Sequence, residues 1–300
     1  MPASIGSRLR HILIATACGL LLSPANAEES DTPLLDFAAT LSYASMPQEE
    51  ALRERLAQAA RALEQNPPPE ENCARTLGAA RFSELLDTLG AAQAALGDHE
   101  AAADAFERSI ACSPRAPYLH AELARALMNL GRHEEARAAA RRALDIEPGH
   151  PGATSIIARL DFIEERWPDA IERLGTVALS DEDPVRATYW MCLHWIAQMR
   201  SGVREPVTID REPVEDWPLP ILELLRGERS EQELLETLQE ENTEPRRREL
   251  LTEALFYVGQ QRLASGDAET ARRYFAAAVN LKVLYFVEHQ MALAELAKLR

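Results

Sequence analysis

The stretch LGAAQAALGDHEAAADAFERSIACSP, Leu89 to Pro114, holds the pattern from which the fold is read. Leu89 and Gly90 lie on one run of helically spaced apolar residues, and Gly97-Asp98 interrupts it. Ala102 and Phe106 lie on a second such run, which Pro114 ends. The pattern predicts two antiparallel helices joined by a tight turn. It then repeats with a period of 34: Gly97 recurs as Gly131, Ala102 as Ala136 and Ala170, and Pro114 and Pro117 as Pro148 and Pro151. Three units follow, 83–116, 117–150 and 151–184. Two helices approach to about 8 Å only where the facing side chains are small. Gly90, Ala124, Ala102, Ala136 and Ala170 take those places, while Leu89, Leu123, Phe106, Leu144 and Leu174 fill between hairpins.

The third unit has Glu165 where its neighbours have the turn glycine, with Trp167-Pro168 just after, which predicts a reshaped turn. A fourth unit, 252–285, carries Gly259, Gly266-Asp267, Ala271, Phe275 and Ala278 at the offsets of the first. Between them, residues 185–251 span about two degenerate repeat lengths. A helix over Val185–Arg200 is expected there, then a loop over Ser201–Pro220 with four prolines. Short helices follow at Ile221–Arg226 and Ser230–Glu240, the latter opened by a capping box from Ser230 to Glu233. A closing helix over Phe286–Arg300 caps the array, so that 252–300 forms one end. At the other end, segment 28–82 holds a helix over Pro47–Gln65, stopped by Asn66-Pro67-Pro68-Pro69, and a second helix starting near Glu70.

The small-large-glycine-alanine-proline order on these positions resembles the tetratricopeptide repeat (TPR). The expected fold class is all-α, a TPR helical-hairpin solenoid.

Residues 1–27 read as a signal peptide: Arg8 and Arg10, an apolar run from Ile12 to Leu22, then Ala25-Asn26-Ala27 as a cleavage site. The run is shorter than the roughly 20 residues that cross a bilayer. Cleavage after Ala27 gives a soluble periplasmic protein. The alternative is lipidation at Cys18, after Ala15-Thr16-Ala17, which would anchor the chain to an envelope membrane. Loss of two arginines and no acid takes the formal charge from −16 to −18. Such a surface repels nucleic acid and anionic lipid; it is either a solvated helical surface or one that prefers basic partners. Cys73, Cys112 and Cys192 remain, an odd number at no zinc-binding spacing. They read as small core residues, with a Cys73–Cys112 bridge as the alternative.

The seven histidines form no HExxH, and GxSxG, a Cys-His pair at a telling spacing and a glycine-rich phosphate loop are all missing. No catalytic residue, cofactor or metal ligand is therefore expected. Binding is expected in the groove lined by first helices. There the frame places Asp87, Ala91, Glu122, Arg125, Met128, Asn129, Arg159, Phe162 and Ile163, with Phe256 and Gln260 in the late unit. Arg125 and Arg159, one period apart, either clasp a partner's carboxylates or pair locally with Glu122 or Asp161. The asparagine and lysine set that clamps a terminal carboxylate is not carried. Trp190, Trp195 and Trp217 read as core before interface, and Glu288-His289 as a hydrogen-bonded structural pair.

The C-terminal third goes beyond a generic repeat. DPVRATYWMCLHWIA (183–197), WPLPILELLRGERSEQELL (217–235), FYVGQQRLASGD (256–267), YFAAAV (274–279) and YFVEHQMALAEL (285–296) resemble the NlpI-type periplasmic TPR lipoproteins. That resemblance implies a non-catalytic, homodimeric adaptor that brings peptidoglycan hydrolases, especially a cell-wall endopeptidase, to a Prc-type processing protease. The family's lipidated cysteine directly follows its signal, whereas here the better cleavage site is Ala27. The runner-up is a scaffold for assembly of an envelope machine such as a secretion, pilus or outer-membrane complex.

Overall fold

The computed structural model describes residues 31–300, except 42–46, 66, 69–72, 77 and 204. Cys18, Ala27 and the helix start expected at Glu70 lie outside the described residues. The helices are α1 (Pro33–Ala38), α2 (Pro47–Gln65), α3 (Ala79–Ala95), α4 (His99–Cys112), α5 (Pro117–Asn129), α6 (His133–Ile146) and α7 (Pro151–Ile163). Then come α8 (Trp167–Ser180), α9 (Pro184–Arg200), α10 (Leu219–Arg226), α11 (Glu231–Gln239), α12 (Glu244–Ala264), α13 (Ala268–Asn280) and α14 (Val287–Lys298). No strand occurs among the described residues, and the fold is the expected all-α helical-hairpin solenoid.

The turn sequences have a direct structural cause. Gly97, Gly131 and Gly266 take left-handed backbone at φ 85°, 74° and 88°, which closes the preceding helix. Asp98 and Asp267 then cap the next helix, accepting the backbone N–H of Ala101 at 3.1 Å and of Thr270 at 3.0 Å. Pro117, Pro151 and Pro184 open α5, α7 and α9, where no N–H is needed.

The third turn is not reshaped. Glu165 adopts φ 58°, its N–H donates to Phe162 O at 3.1 Å, and the Arg166 N–H donates to Asp161 O at 2.8 Å. Those are the bonds that Gly97 and Asp98 make in the first turn. A non-glycine residue is strained there, and its surroundings hold it: the Glu165 carboxylate accepts from Arg200 at 2.7 Å and from Lys298 at 3.3 Å.

Hairpins α3/α4, α5/α6, α7/α8 and α12/α13 pack as pairs, and α5 and α7 lie side by side as first helices of adjacent units. Ala102, Ala124, Ala136 and Ala170 are fully buried at the contacts. Helix α9 packs on α8, α10 and α12, while α1 sits among α11, α12 and α13. The late hairpin is longer than the period suggests, because α12 starts at Glu244. Helix α14 does more than cap the array. It packs on α12 and α13 and also reaches α5 and α7, so the end of the chain folds back across the first-helix face.

The expectation for Cys73 and Cys112 changes, and that for Cys192 holds. Cys73, in a 3-10 turn at Cys73–Arg75, is bonded to Cys112 at the end of α4. The bridge ties the segment before the first hairpin to its second helix, which the odd count and the spacing did not favour. Cys192 is the buried free thiol among the described residues.

Candidate functional site

Helices α3, α5 and α7 supply one wall of a groove, and α14 with the Leu284–Phe286 segment supplies the other. Between them lies a cavity of about 590 Å3. Seven of the expected groove residues line it, among them Glu122, Arg125, Met128 and Asn129 from α5, and Arg159 from α7. The other two are Ala91 and Ile163.

The two arginines have different fates. Arg125 takes the local pairing, its Nη2 lying 2.9 Å from Glu122 Oε1. Arg159 does not pair with Asp161. Only 5 % exposed, it donates from Nε to Ser155 O at a long 3.4 Å and lies 5.9 Å from the centre of the Trp190 ring. No carboxylate oxygen among the described residues stands within 4.0 Å of it. Burial, then the like charge of Arg125, bring its pKa down to about 10, against the attraction of Glu288 and Glu122. It is still a cation at neutral pH, in a pocket where a cation is costly.

Three expected groove residues present no surface. Phe162 is fully buried under α9, with the Arg200 guanidinium 6.0 Å from its ring centre. Phe256 is packed on Phe275 and Tyr257, with ring centres 6.1 and 5.1 Å apart. Gln260 is fully buried, donating to Glu295 of α14 at 3.1 Å and accepting from Arg200 at 2.9 Å. The frame was right for these positions as first-helix residues. The late unit is enclosed by α9 through α11 and α14, so its inner face is core.

A buried ion pair anchors α14: Arg200 Nη1 to Glu295 Oε1, 2.6 Å, with side chains 8 % and 3 % exposed. Lys298 joins Glu295 at 3.3 Å. Glu288 and His289 do not form a pair of their own. His289 faces His99 of α4, and burial followed by that neighbour lowers its pKa to about 4. Glu288 and Glu253 are both pushed up, chiefly by burial; Glu288 raises Glu253 further, while Arg159 and Tyr257 act to lower Glu288. Glu253 accepts from Tyr189 Oη and Trp217 Nε1, both at 2.5 Å. Trp190 and Trp195 likewise turn inward, donating to Asp181 at 3.0 Å and to Leu225 O at 2.9 Å.

One further hub has little signal in the sequence. Asp161, 1 % exposed, pairs with Arg137 at 2.9 Å, Arg166 at 2.8 Å and Arg173 at 2.7 Å, and Glu164 bridges Arg137 and Arg166. It joins α6, α7 and α8. Only the mixture of charges on an otherwise apolar helix hinted at it. Among the described residues no three His, Cys, Asp or Glu are grouped to hold a metal ion, and no helix is long and apolar enough to cross a membrane.

Comparison with known proteins agrees with this architecture. A family model described as tetratricopeptide repeat matches residues 93–159, from the end of α3 to Arg159 on α7. The fold is a tetratricopeptide-repeat fold. A solved structure of a tetratricopeptide repeat protein from Parabacteroides merdae is similar at 16% identity and a TM-score of 0.47, over 87% of this chain and 98% of that one.

Proposed function

We propose that this TPR chain is a non-catalytic periplasmic adaptor that binds a cell-wall hydrolase, of the endopeptidase class, and presents it to a Prc-type processing protease. The observation that carries the reading is the common face made by the first helices of successive hairpins. Repetition builds an extended surface there, while the buried face of each hairpin is used in stacking. Part of that face remains open. Tyr118 is 45 % exposed, and near it Asp87 has its pKa raised by burial, then by Glu122 and Glu84. An exposed aromatic beside clustered carboxylates suits a partner segment that carries basic and apolar residues. Glu122, Arg125 and Asn129 are the groove residues assigned to it, and Met128 and Arg159 lie deeper.

Two further observations support the address and the partner class. A Cys73–Cys112 bridge fits an oxidising compartment, in keeping with the signal-like first 27 residues. The stretches from Asp183 to Leu296 that resemble NlpI-type adaptors form α9, α10–α12 and α13–α14, and the resemblance implies a homodimer. Export with cleavage after Ala27 is the preferred route, and lipid attachment at Cys18 is the alternative. The test is recovery of the mature protein from envelope extract with mass spectrometry of what it retains. A processing protease together with a wall hydrolase is the expected result. Recovery of neither overturns the reading.

A further inference from the structure

The cavity under α14 has one buried guanidinium, that of Arg159, with no carboxylate oxygen among the described residues within 4.0 Å; Glu288 and Glu122 act on it only from farther away. We propose that the cavity binds an aliphatic chain ending in a carboxylate, with the Arg159 guanidinium taking the carboxylate and the apolar walls taking the chain. Arg159 is 95 % buried, lines the cavity, and spends one N–H on a long bond to Ser155 O. A guanidinium carries five N–H donors in a planar fork that fits both oxygens of a carboxylate. The lysine and the other arginine on the lining already have partners: Arg125 has Glu122, and Lys298 has Glu165 and Glu295. A buried guanidinium without a close ion pair leaves room for one carboxylate at hydrogen-bond distance. A carboxylate seated by Arg159 would also relieve its repulsion from Arg125.

The walls decide what the carboxylate is attached to. Ala91, Ala94, Ala126, Ile163, Met291 and Ala294 are aliphatic and line the same space. A peptide would bring an N–H and a C=O per residue that need partners when buried. Few of the described lining groups could serve a buried peptide: Asn129 and Gln290 carry the side-chain amides, Gln290 already donates to Leu284 O at 2.9 Å, and His99 adds two ring nitrogens without a hydrogen-bond partner. An alkyl chain needs none. The volume, about 590 Å3, lies within the range of pockets that enclose a small ligand, and the flexible Met291 lets the wall adapt.

The proposal stands apart from partner binding, and calorimetric titration of the full-length chain with sodium decanoate, below its micelle concentration, tests it. Saturable binding of one decanoate per chain is expected, with 1-decanol at least tenfold weaker because it lacks the charge. Arg159→Met should weaken decanoate by about tenfold or more and leave decanol unchanged. Ala94→Leu, which fills the cavity without touching Arg159, should weaken both, and circular dichroism confirms that each variant is folded. Absence of saturable decanoate binding by the folded wild type overturns the proposal, and so does equal binding of decanol. Unchanged decanoate affinity in folded Arg159→Met does the same; if that variant does not fold, unchanged affinity in Ala94→Leu is the deciding contrary result.

Discussion

Gly259 on α12 lies against the ring of Phe275 on α13 so closely that a β-carbon at Gly259 would stand 2.7 Å from Cε1 of the phenylalanine. The first unit repeats the relation, with 2.9 Å between a β-carbon at Gly90 and Phe106 Cε1. Two opposing effects meet in Gly259→Ala. Helix propensity favours alanine by about 1 kcal/mol, while overpacking a fully buried ring costs roughly 1–3 kcal/mol. Net destabilisation of up to about 2 kcal/mol is expected from urea unfolding. In a Phe275→Leu background the same substitution should become neutral or stabilising, and a double-mutant cycle measures the difference.

The disulfide gives a second prediction. Cys73 and Cys112 are 39 residues apart, and a loop of that size contributes on the order of 3–4 kcal/mol by the chain-entropy argument. Replacing both with alanine should lower the unfolding free energy by that order. Adding a reductant to the double variant should then change nothing further, whereas it should destabilise the wild type.

The period of 34 made the hairpins, their turns and their small contact residues legible, because each rests on residues within one unit or its neighbour. What closed the groove was not legible. Arg200 meets Glu295 across 95 positions, and Lys298 meets Glu165 across 133. Such contacts leave no spacing to read. For that reason Gln260 reads as a groove residue when it is bonded to Glu295 of α14, and Phe256 when it is packed on Phe275 of α13. Glu165 misled for a related cause: the residue type argued against a left-handed turn, and the partners that hold it come from α9 and α14. Arg159 lines the groove without a close ion pair, because Asp161, the nearby carboxylate in sequence, is engaged by three other arginines.

Asp161 provides the third prediction. Its removal leaves Arg137, whose side chain is 8 % exposed, with Glu164 alone as a carboxylate partner. Asp161→Ala should destabilise by roughly 3 kcal/mol, as expected when one member of a buried ionic cluster is lost. Asp145→Ala, at an exposed pair on α6 with a 4.0 Å separation, should change stability by well under 1 kcal/mol in the same assay.

The histidine at α14 gives a pH dependence with a definite sign. His289 is 3 % exposed, and its folded pKa is about 4, below an unfolded value near 6.5. The unfolded chain therefore binds the proton first. Stability from this group is complete above about pH 6.5 and is lost as pH falls toward 4, by roughly 3 kcal/mol in all. His289→Leu should flatten that limb of the stability curve, with denaturant midpoints measured from pH 7 to 4. Glu253 acts in the other direction. Its folded pKa is raised, so its contribution is present below the ordinary carboxylate value and is lost as pH rises through the folded value. Glu253→Gln should remove the alkaline loss and leave the acid limb in place.

The adaptor reading is tested most directly by reconstitution. A purified cell-wall endopeptidase is incubated with a Prc-type protease from the same envelope, with and without this chain, and its disappearance is followed over time. Degradation should be several-fold faster with the chain present, and the acceleration should fall when Glu122 and Arg125 on the open face are exchanged in sign. An endopeptidase lost at the same rate with and without the folded chain would contradict the adaptor function.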